Sequence, residues 1–476
     1  MWLWMLLAVM VPRDTWMDYT LEELLLRGVP VTTRLPFRPL DTRDLRLEET
    51  APDDLTASLL ERLATSGYVL SDATVTLGLG VHHLAERDHR TFVRGLALAR
   101  LGWLDLSVAP VVKHGRSSEY PTHVWNADLS GDFFLASLTA HFKNASLTLG
   151  RTPLRIGGDP EAALMFGQRL VPLDLLWFTY AWGRFDLYAG FSIADDYEVS
   201  TRDTVYGYRL QPGDVIHRYL ALHGVAFHVL NRRLRIALTE TSLFTGVNRM
   251  PSLAYVNPLY MYYAGQFNQG GMDNISWDAV IRWVGEGYGL FAELYVDDAQ
   301  YSPPPTGEPH QLAWLVGAHK TWGSTFWTLR YTRVDAWTYL HEGNWQAWVI
   351  RGQPVGHPLG PDFDEWLVRG TWHRGPTDWT LSLRALRKGE NRPNTPWPIY
   401  AGSAWQRFPR GSGFLMGTVN HRWSGALGFR LYQPHLRLSL EGGWTVERNA
   451  DHIPGQNRSW GWIRAGLETW RQVRVP

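Results

Sequence analysis

Carboxylates, amides and aromatic rings fall close together at three places in the chain, and each grouping suggests its own chemistry. From Tyr288 to Asp298, the residues Tyr288, Leu290, Ala292, Leu294 and Val296 alternate with Phe291, Glu293, Tyr295 and Asp297, so a strand here turns the two sets to opposite faces. Glycoside hydrolysis needs two carboxyl groups about 5–5.5 or 6.5–9.5 Å apart. Glu293 and Asp297 lie four residues apart, which along a strand rising about 3.4 Å per residue is roughly 13–14 Å. As a pair they are too far apart for that reaction. Catalysis would need a partner carboxylate from another strand; the other roles open to them are pairing with arginine and hydrogen bonding to sugar hydroxyls.

The segment from Asn257 to Asn274 gathers Asn257, Tyr260, Tyr262, Tyr263, Gln266, Asn268, Asp273 and Asn274. Amides donate and accept, carboxylates accept, and aromatic faces pack on the apolar C–H faces of pyranose rings. The same residues also suit a loop that satisfies its own hydrogen bonds. Trp337, Tyr339, Trp345 and Trp348 form the third group. Other signals are weaker: His82 and His83 are adjacent and would face opposite sides of a strand, so they make no metal site with His89. Gly78-Leu79-Gly80 opens no helix, no serine has the setting of a nucleophile elbow, and cysteine is absent. The expectation is a protein that is not an enzyme and holds neither cofactor nor metal.

Something must position these residues, and the composition narrows what. The 476 residues are 45% apolar and 13% aromatic but only 19% charged, with 25 Trp, 20 Tyr and 45 Gly. Lys+Arg and Asp+Glu both number 46, so no basic excess points to nucleic acid. Lysine stands only at Lys113, Lys143, Lys320 and Lys388, leaving arginine, with its planar fork, as the main cation. Mean hydropathy is -0.23 and no apolar run approaches the 18 or so residues of a membrane helix. A closed β-barrel passes this test, because its strands alternate lipid-facing and inward-facing side chains.

Period-2 alternation begins near Thr74. Val75, Leu77, Leu79 and Val81 show it first; Phe185 to Ile193, Leu234 to Leu238, Trp327 to Tyr331, Leu427 to Leu431 and Leu436 to Leu440 repeat it. Turn signals such as Trp182-Gly183-Arg184, Asn231-Arg232 and Trp423-Ser424-Gly425 alternate with longer stretches near 194–217, 300–310, 335–364 and 389–413. The predicted fold class is all-β: a large antiparallel transmembrane β-barrel of about 16–20 strands, best read as 18, over residues 71–476. Clusters such as Trp177, Tyr180 and Trp182, or Trp460, Trp462 and Trp470, are expected to form interfacial girdles. Ahead of the barrel, Leu21, Leu24 and Leu25 stop at Gly28, and a second helical stripe of Leu55, Leu59 and Leu63 follows Pro52 and Asp53. They define a helical module at 12–70, joined by a Pro30 to Pro39 connector, after an apolar signal-like segment at 1–11 that implies export.

Several motifs then carry a likeness: the leucine-rich helix ending at Gly28 and followed by Pro30 and Pro36; Gly150-Arg151; Asn257-Pro258-Leu259-Tyr260-Met261-Tyr262 with Gln266-Phe267-Asn268; Glu293 and Asp297-Asp298; and Gly356-His357-Pro358-Leu359-Gly360-Pro361-Asp362. In this order, over most of the chain, they resemble the capsule assembly Wzi family of bacterial outer-membrane proteins. The resemblance implies an outer-membrane barrel with a periplasmic helical part, a lectin that holds capsular polysaccharide at the cell surface. Its implied partners are extracellular polysaccharide, outer-membrane lipid and the barrel-assembly machinery, with no nucleic acid. The residues expected to meet sugar are Asn257, Tyr260, Tyr262, Gln266, Asn268, Glu293, Tyr295, Asp297, Trp337 and Tyr339. A porin or transporter for small solutes is the alternative that the same fold permits.

Overall fold

The structure, a computed structural model, describes residues 15–29, 40–41, 53–64, 69–70, 74–85, 89–114, 129–167, 172–200, 203–205, 208–269, 272–300, 308–398, 408 and 413–474. The alternating segments become the strands of one wall. They are β1 Thr74–Ala85, β2 His89–Leu101, β3 Leu104–His114, β4 Leu129–His141, β5 Ala145–Thr152, β6 Leu173–Trp182, β7 Phe185–Ile193, β8 Val215–Val229 and β9 Leu234–Val247. The second half supplies β10 Met272–Val284, β11 Tyr288–Asp298, β12 Gln311–Trp322, β13 Thr325–Val334, β14 Phe363–Arg374, β15 Thr377–Lys388, β16 Asn420–Gln433, β17 Leu436–Arg448 and β18 Asn457–Arg474. Each pairs antiparallel with the next, and β18 returns to β1 with Leu467 opposite Val81, so the eighteen-strand sheet closes. The two-residue strand Tyr197–Glu198 continues the β7 side of β8.

The sorting of side chains shows what surrounds the wall. Leu79, Leu290, Leu329, Leu427 and Leu440 point outward and are exposed, while Arg94, Arg330, Glu365 and Glu468 point inward and are buried. Apolar outside and charged inside is the arrangement a bilayer demands, since closure also leaves no strand edge in hydrocarbon. Outward rings mark the two borders: Trp182, Trp322 and Trp379 near the short turns, Trp314, Trp366 and Trp444 toward the long loops. Trp314 and Trp322 are eight residues apart on one strand; with a tilt near 40° that is roughly 20 Å of height, close to the apolar band of outer-membrane barrels. The chain is an outer-membrane barrel.

Two expectations need correction. Trp423-Ser424-Gly425 is no turn: β16 runs straight through it, with Trp423 opposite Val446, and the turn falls at 434–435. Of the expected girdle rings, Trp177, Trp460, Trp462 and Trp470 face inward, because their register partners are Gly190, Thr445, Gly443 and Gly78 rather than the lipid-facing leucines. Parity along the strand decides this, and clustering by type does not see it.

Both amino-terminal helices enter the short-turn end of the barrel. In α1, Thr15–Leu26, the chain stops as the spacing predicts: Gly28 adopts φ +86° and Val29 N–H donates to the Leu24 carbonyl at 3.0 Å. In α2, Asp54–Ala64, Asp53 caps the first turn by accepting from Thr56 N–H at 2.7 Å. Leu21, Leu24, Leu59 and Leu60 share a core with Leu96, Leu98, Ala109 and Leu135 of the inner wall. Arg62 donates to Asp378 at 2.7 Å and His373 bridges Glu23 and Asp378 at 2.8 and 2.7 Å, pinning both helices to the β14–β15 rim. Deeper in, Arg155 donates to Asp18 at 2.6 Å. The signal-like segment 1–11 and the connector from Pro30 to Pro39 lie outside the described residues.

Close packing inside the wall generates a stability prediction. Phe291 lies over Gly317 and stacks on His319 with ring centroids 4.6 Å apart, and a Cβ at Gly317 would collide with the Phe291 ring. Unboiled protein is expected to migrate as a compact band that boiling shifts. Gly317→Ala, costing about 1–3 kcal/mol through overpacking, should lower the temperature of that conversion, and an unchanged temperature would contradict the packing.

Candidate functional site

Two long loops fold back into the barrel. Residues 153–167, between β5 and β6, and residues 335–362, between β13 and β14, are largely buried, and they bring Leu154, Ile156, Phe166, Tyr339, Trp348 and Val355 into one apolar cluster with Phe291 and Phe363 of the wall. Buried backbone must find partners, and here the inner face of β11 supplies them. Glu293 accepts from the N–H groups of Gly158 at 2.7 Å, Leu164 at 2.6 Å and Met165 at 3.3 Å. Asp297 accepts from Tyr339 N–H at 2.6 Å, and Tyr295 lies beside it with its ring centroid 5.2 Å from that of Tyr339. The loops also hold each other: Tyr339 Oη donates to the Leu164 carbonyl at 2.7 Å, Trp348 Nε1 to the Met165 carbonyl at 3.0 Å, and Gly167 N–H to the Val355 carbonyl at 2.7 Å.

A charged layer lies below. Arg330 donates to Asp159 at 2.6 Å and Glu365 at 2.8 Å, and Arg384 donates to Glu161 at 2.7 Å while Arg369 takes the other Glu161 oxygen. Burial alone would raise the Glu161 carboxyl, but Arg369, Arg384 and Arg330 overcome it and hold it well below the ordinary carboxylate range. Tyr19 of α1 sits against the same groups, stacked edge-on to His319 at 6.3 Å with Arg369 over its ring at 5.0 Å. Along the β11–β15 arc, loops from one end and a helix from the other fill the lumen.

The ten residues expected to meet sugar are divided between two places. Glu293, Tyr295, Asp297, Trp337 and Tyr339 come together in or beside this plug; Trp337 packs against Trp397 and Phe408 at 5.4 and 5.1 Å. Burial pushes the Tyr339 hydroxyl well up, as befits a phenol kept neutral for hydrogen bonding. Asn257, Tyr260, Tyr262, Gln266 and Asn268 lie elsewhere, on a hairpin of α3, Leu253–Val256, and α4, Tyr262–Gln269. That hairpin packs on the outer wall: Tyr255 stacks on Phe244 at 4.0 Å, and the Tyr262 ring meets His223 at a tilt, 4.5 Å between centroids. Tyr262 N–H donates to Glu240 and Gln266 donates to the Asp273 carbonyl, both at 3.1 Å, while Asn257 and Asn268 are exposed. Among the described residues no cluster of metal-ligating side chains occurs.

The inner face of β16–β18 differs from the plugged arc. Trp460 and Trp462 are half-buried, Arg464 lies over the Trp462 ring at 4.6 Å, and the side chains of Arg422, Glu441, Arg458 and Arg464 keep 28%, 32%, 32% and 30% of their exposure. Gly443 makes room for the Trp462 ring, which a Cβ there would strike. Rings and forked cations together can stack on a pyranose and bind its hydroxyls or carboxylates. The parity of Trp460 and Trp462 with Arg458, Arg464 and Glu468 was visible in the sequence and marks this inner face.

No family model and no curated protein matches the chain. Among solved structures it is similar to Wzi, an outer-membrane protein involved in group 1 capsule assembly in Escherichia coli and described as a carbohydrate-binding β-barrel. The two share 14% identity over 96% of this chain and 98% of that one, with a TM-score of 0.66. The Pseudomonas aeruginosa protein OpdK matches at 14% identity over 85% of this chain and 100% of that one, TM-score 0.47. OprD from the same organism matches at 10% over 84% and 95%, TM-score 0.45. At such identity the likeness to Wzi is one of fold.

The plug geometry predicts the effect of removing its central acceptor. Glu293→Ala strands buried N–H groups at a cost of about 1–3 kcal/mol each, so hydrogen exchange should accelerate at 158–165 while the wall strands stay protected. Glu293→Gln, which keeps one acceptor oxygen, should fall between. Wild-type protection of 158–165 in the alanine variant would refute the anchoring role.

Proposed function

We propose that this chain binds extracellular polysaccharide, capsular polysaccharide included, and helps assemble or retain it at the cell surface, as a binding protein and not an enzyme. The observation that carries this reading is the filled lumen: two loops locked on Glu293, Asp297 and Arg330 meet α1 from the other end, a poor conduit for solutes and a rigid base for recognition. The likeness to a barrel described as carbohydrate-binding lends support to it. Carboxylates saturated by backbone donors inside a plug have little capacity left for acid–base chemistry on a glycan.

In this reading Glu293, Tyr295, Asp297, Trp337 and Tyr339 shape the loops from behind. Direct contact falls to Trp460 and Trp462, with Arg422, Glu441, Arg458 and Arg464 around them. The hairpin residues Asn257, Tyr260, Tyr262, Gln266 and Asn268 stand on the outer wall, away from this face. The helical module is periplasmic in this reading, since α1 and α2 stand beside the short turns, which are the periplasmic ones in barrels of this kind. Insertion falls to the barrel-assembly machinery.

Glycan-array binding by the purified barrel tests the proposal directly. A ring stacked on a pyranose buries apolar surface worth about 25 cal/mol per Å², so replacing Trp460 and Trp462 together by Ala should weaken retention about tenfold or more, with the heat-modifiable band unchanged. Planar-bilayer recordings should show no steady conductance steps. An open channel, or full retention by the double variant, would overturn the assignment and favour the porin reading.

A further inference from the structure

The hairpin α3–α4 covers a part of the wall that should be bare. Its contacts lie on the lipid-facing side: Ile236 and Leu238 of β9 pair with Ile281 and Ala279 of β10, and the same parity continues through Glu240, Ser242 and Phe244, opposite Trp277, Ile275 and Asp273. Leu238 and Ile281 are exposed, as lipid-facing residues are, whereas Glu240, Ser242 and Asp273 are buried. The hairpin buries them and satisfies the two carboxylates. Glu240 accepts from the N–H groups of Tyr262 at 3.1 Å and Tyr263 at 3.0 Å, at the start of α4, and lies 3.1 Å from His223. Asp273 is held by Arg249 and the Tyr255 hydroxyl.

The other side of the hairpin is mostly apolar, with Asn257 and Asn268 its exposed amides. Leu253, Leu259, Met261 and Phe267 are 85%, 91%, 63% and 69% exposed, and not one charged residue stands between Arg249 and Asp273. A water-facing hairpin would not expose so many apolar side chains without any charge. Height decides what meets them. Glu240 is six residues beyond Leu234, the first residue of β9 at the short-turn end, which is roughly 20 Å along the strand and roughly 15 Å of height at a tilt near 40°. An apolar band about 25 Å tall reaches beyond that level. The start of α4, bound to Glu240, therefore lies against the lipid-facing wall below the upper edge of the band, and α3, stacked on Phe244 at roughly 26 Å, lies at that edge.

We infer that α3–α4 is a lipid-docking element: it lies against the wall in the outer leaflet, with Leu253, Leu259, Met261 and Phe267 in contact with acyl chains. The wall can then carry Glu240, His223 and Asp273 on its lipid side, because the hairpin stands between them and the hydrocarbon.

The chain has no cysteine, so single labels are clean. Leu259→Cys and Phe267→Cys, spin-labelled in the full-length barrel in lipid nanodiscs, should show higher collision rates with oxygen than with a water-soluble nickel chelate, as Trp322→Cys on the short-turn girdle does. Gln211→Cys, on the exposed loop before β8, should show the reverse. Nickel accessibility at 259 and 267 equal to that at 211 would overturn the inference. So would dipolar coupling between labels on two barrels in one larger disc, which would mean that a second copy covers the face.

Discussion

A single carboxylate, Glu293, sets the terms for the inside of this molecule. It points into the lumen from β11 and collects three backbone N–H groups from a loop that would otherwise stand outside the wall. Buried charge is tolerated only where hydrogen bonds or opposite charges replace the lost water. Arg330 meets Asp159 and Glu365 on the same rule, and Arg369 and Arg384 meet Glu161. The residues that look most like a reactive site are thus occupied by the chain itself, and the less crowded arc of the lumen is the one at β16–β18.

The same rule works on the outer surface. An acidic residue at the depth of Glu240 would face hydrocarbon in a plain barrel. It is matched here by the first N–H groups of α4, whose end of the helix favours negative charge. The polar content of the wall and the uncharged stretch from 250 to 272 explain each other: the first needs a cover, and the second can remain in lipid.

The wall was legible because alternation is a local signal. Leu290, Glu293 and Asp297 face the way period 2 requires, and β18 meets β1 as a closed barrel must. Loop direction was not legible. Tyr339 and Trp348 sit in a segment without periodicity, and whether such a segment stands in water or folds into a lumen depends on acceptors such as Asp297 and the Met165 carbonyl, far off in sequence. Grouping rings by type failed where parity would have succeeded: Trp182 and Trp177 are near neighbours in one strand, yet one faces lipid and the other is buried. Asn257 and Tyr262 carried a composition that fits sugar, loop or lipid equally well until their place on the outer wall was seen.

The contact between Arg155 and Asp18 joins material from opposite ends of the barrel. Arg155 belongs to a loop that leaves and re-enters the wall on one side of the membrane, and Asp18 to a helix that enters from the other. With Tyr19 lodged beside Arg369 and the Glu161 layer, protein runs unbroken along the β11–β15 side of the lumen, stiffened by ion pairs and attached to the wall at β11, β13, β14 and β15. A pull on the outer loops would be shared between α1 and the strands that Arg330, Arg369 and Arg384 bind to the plug.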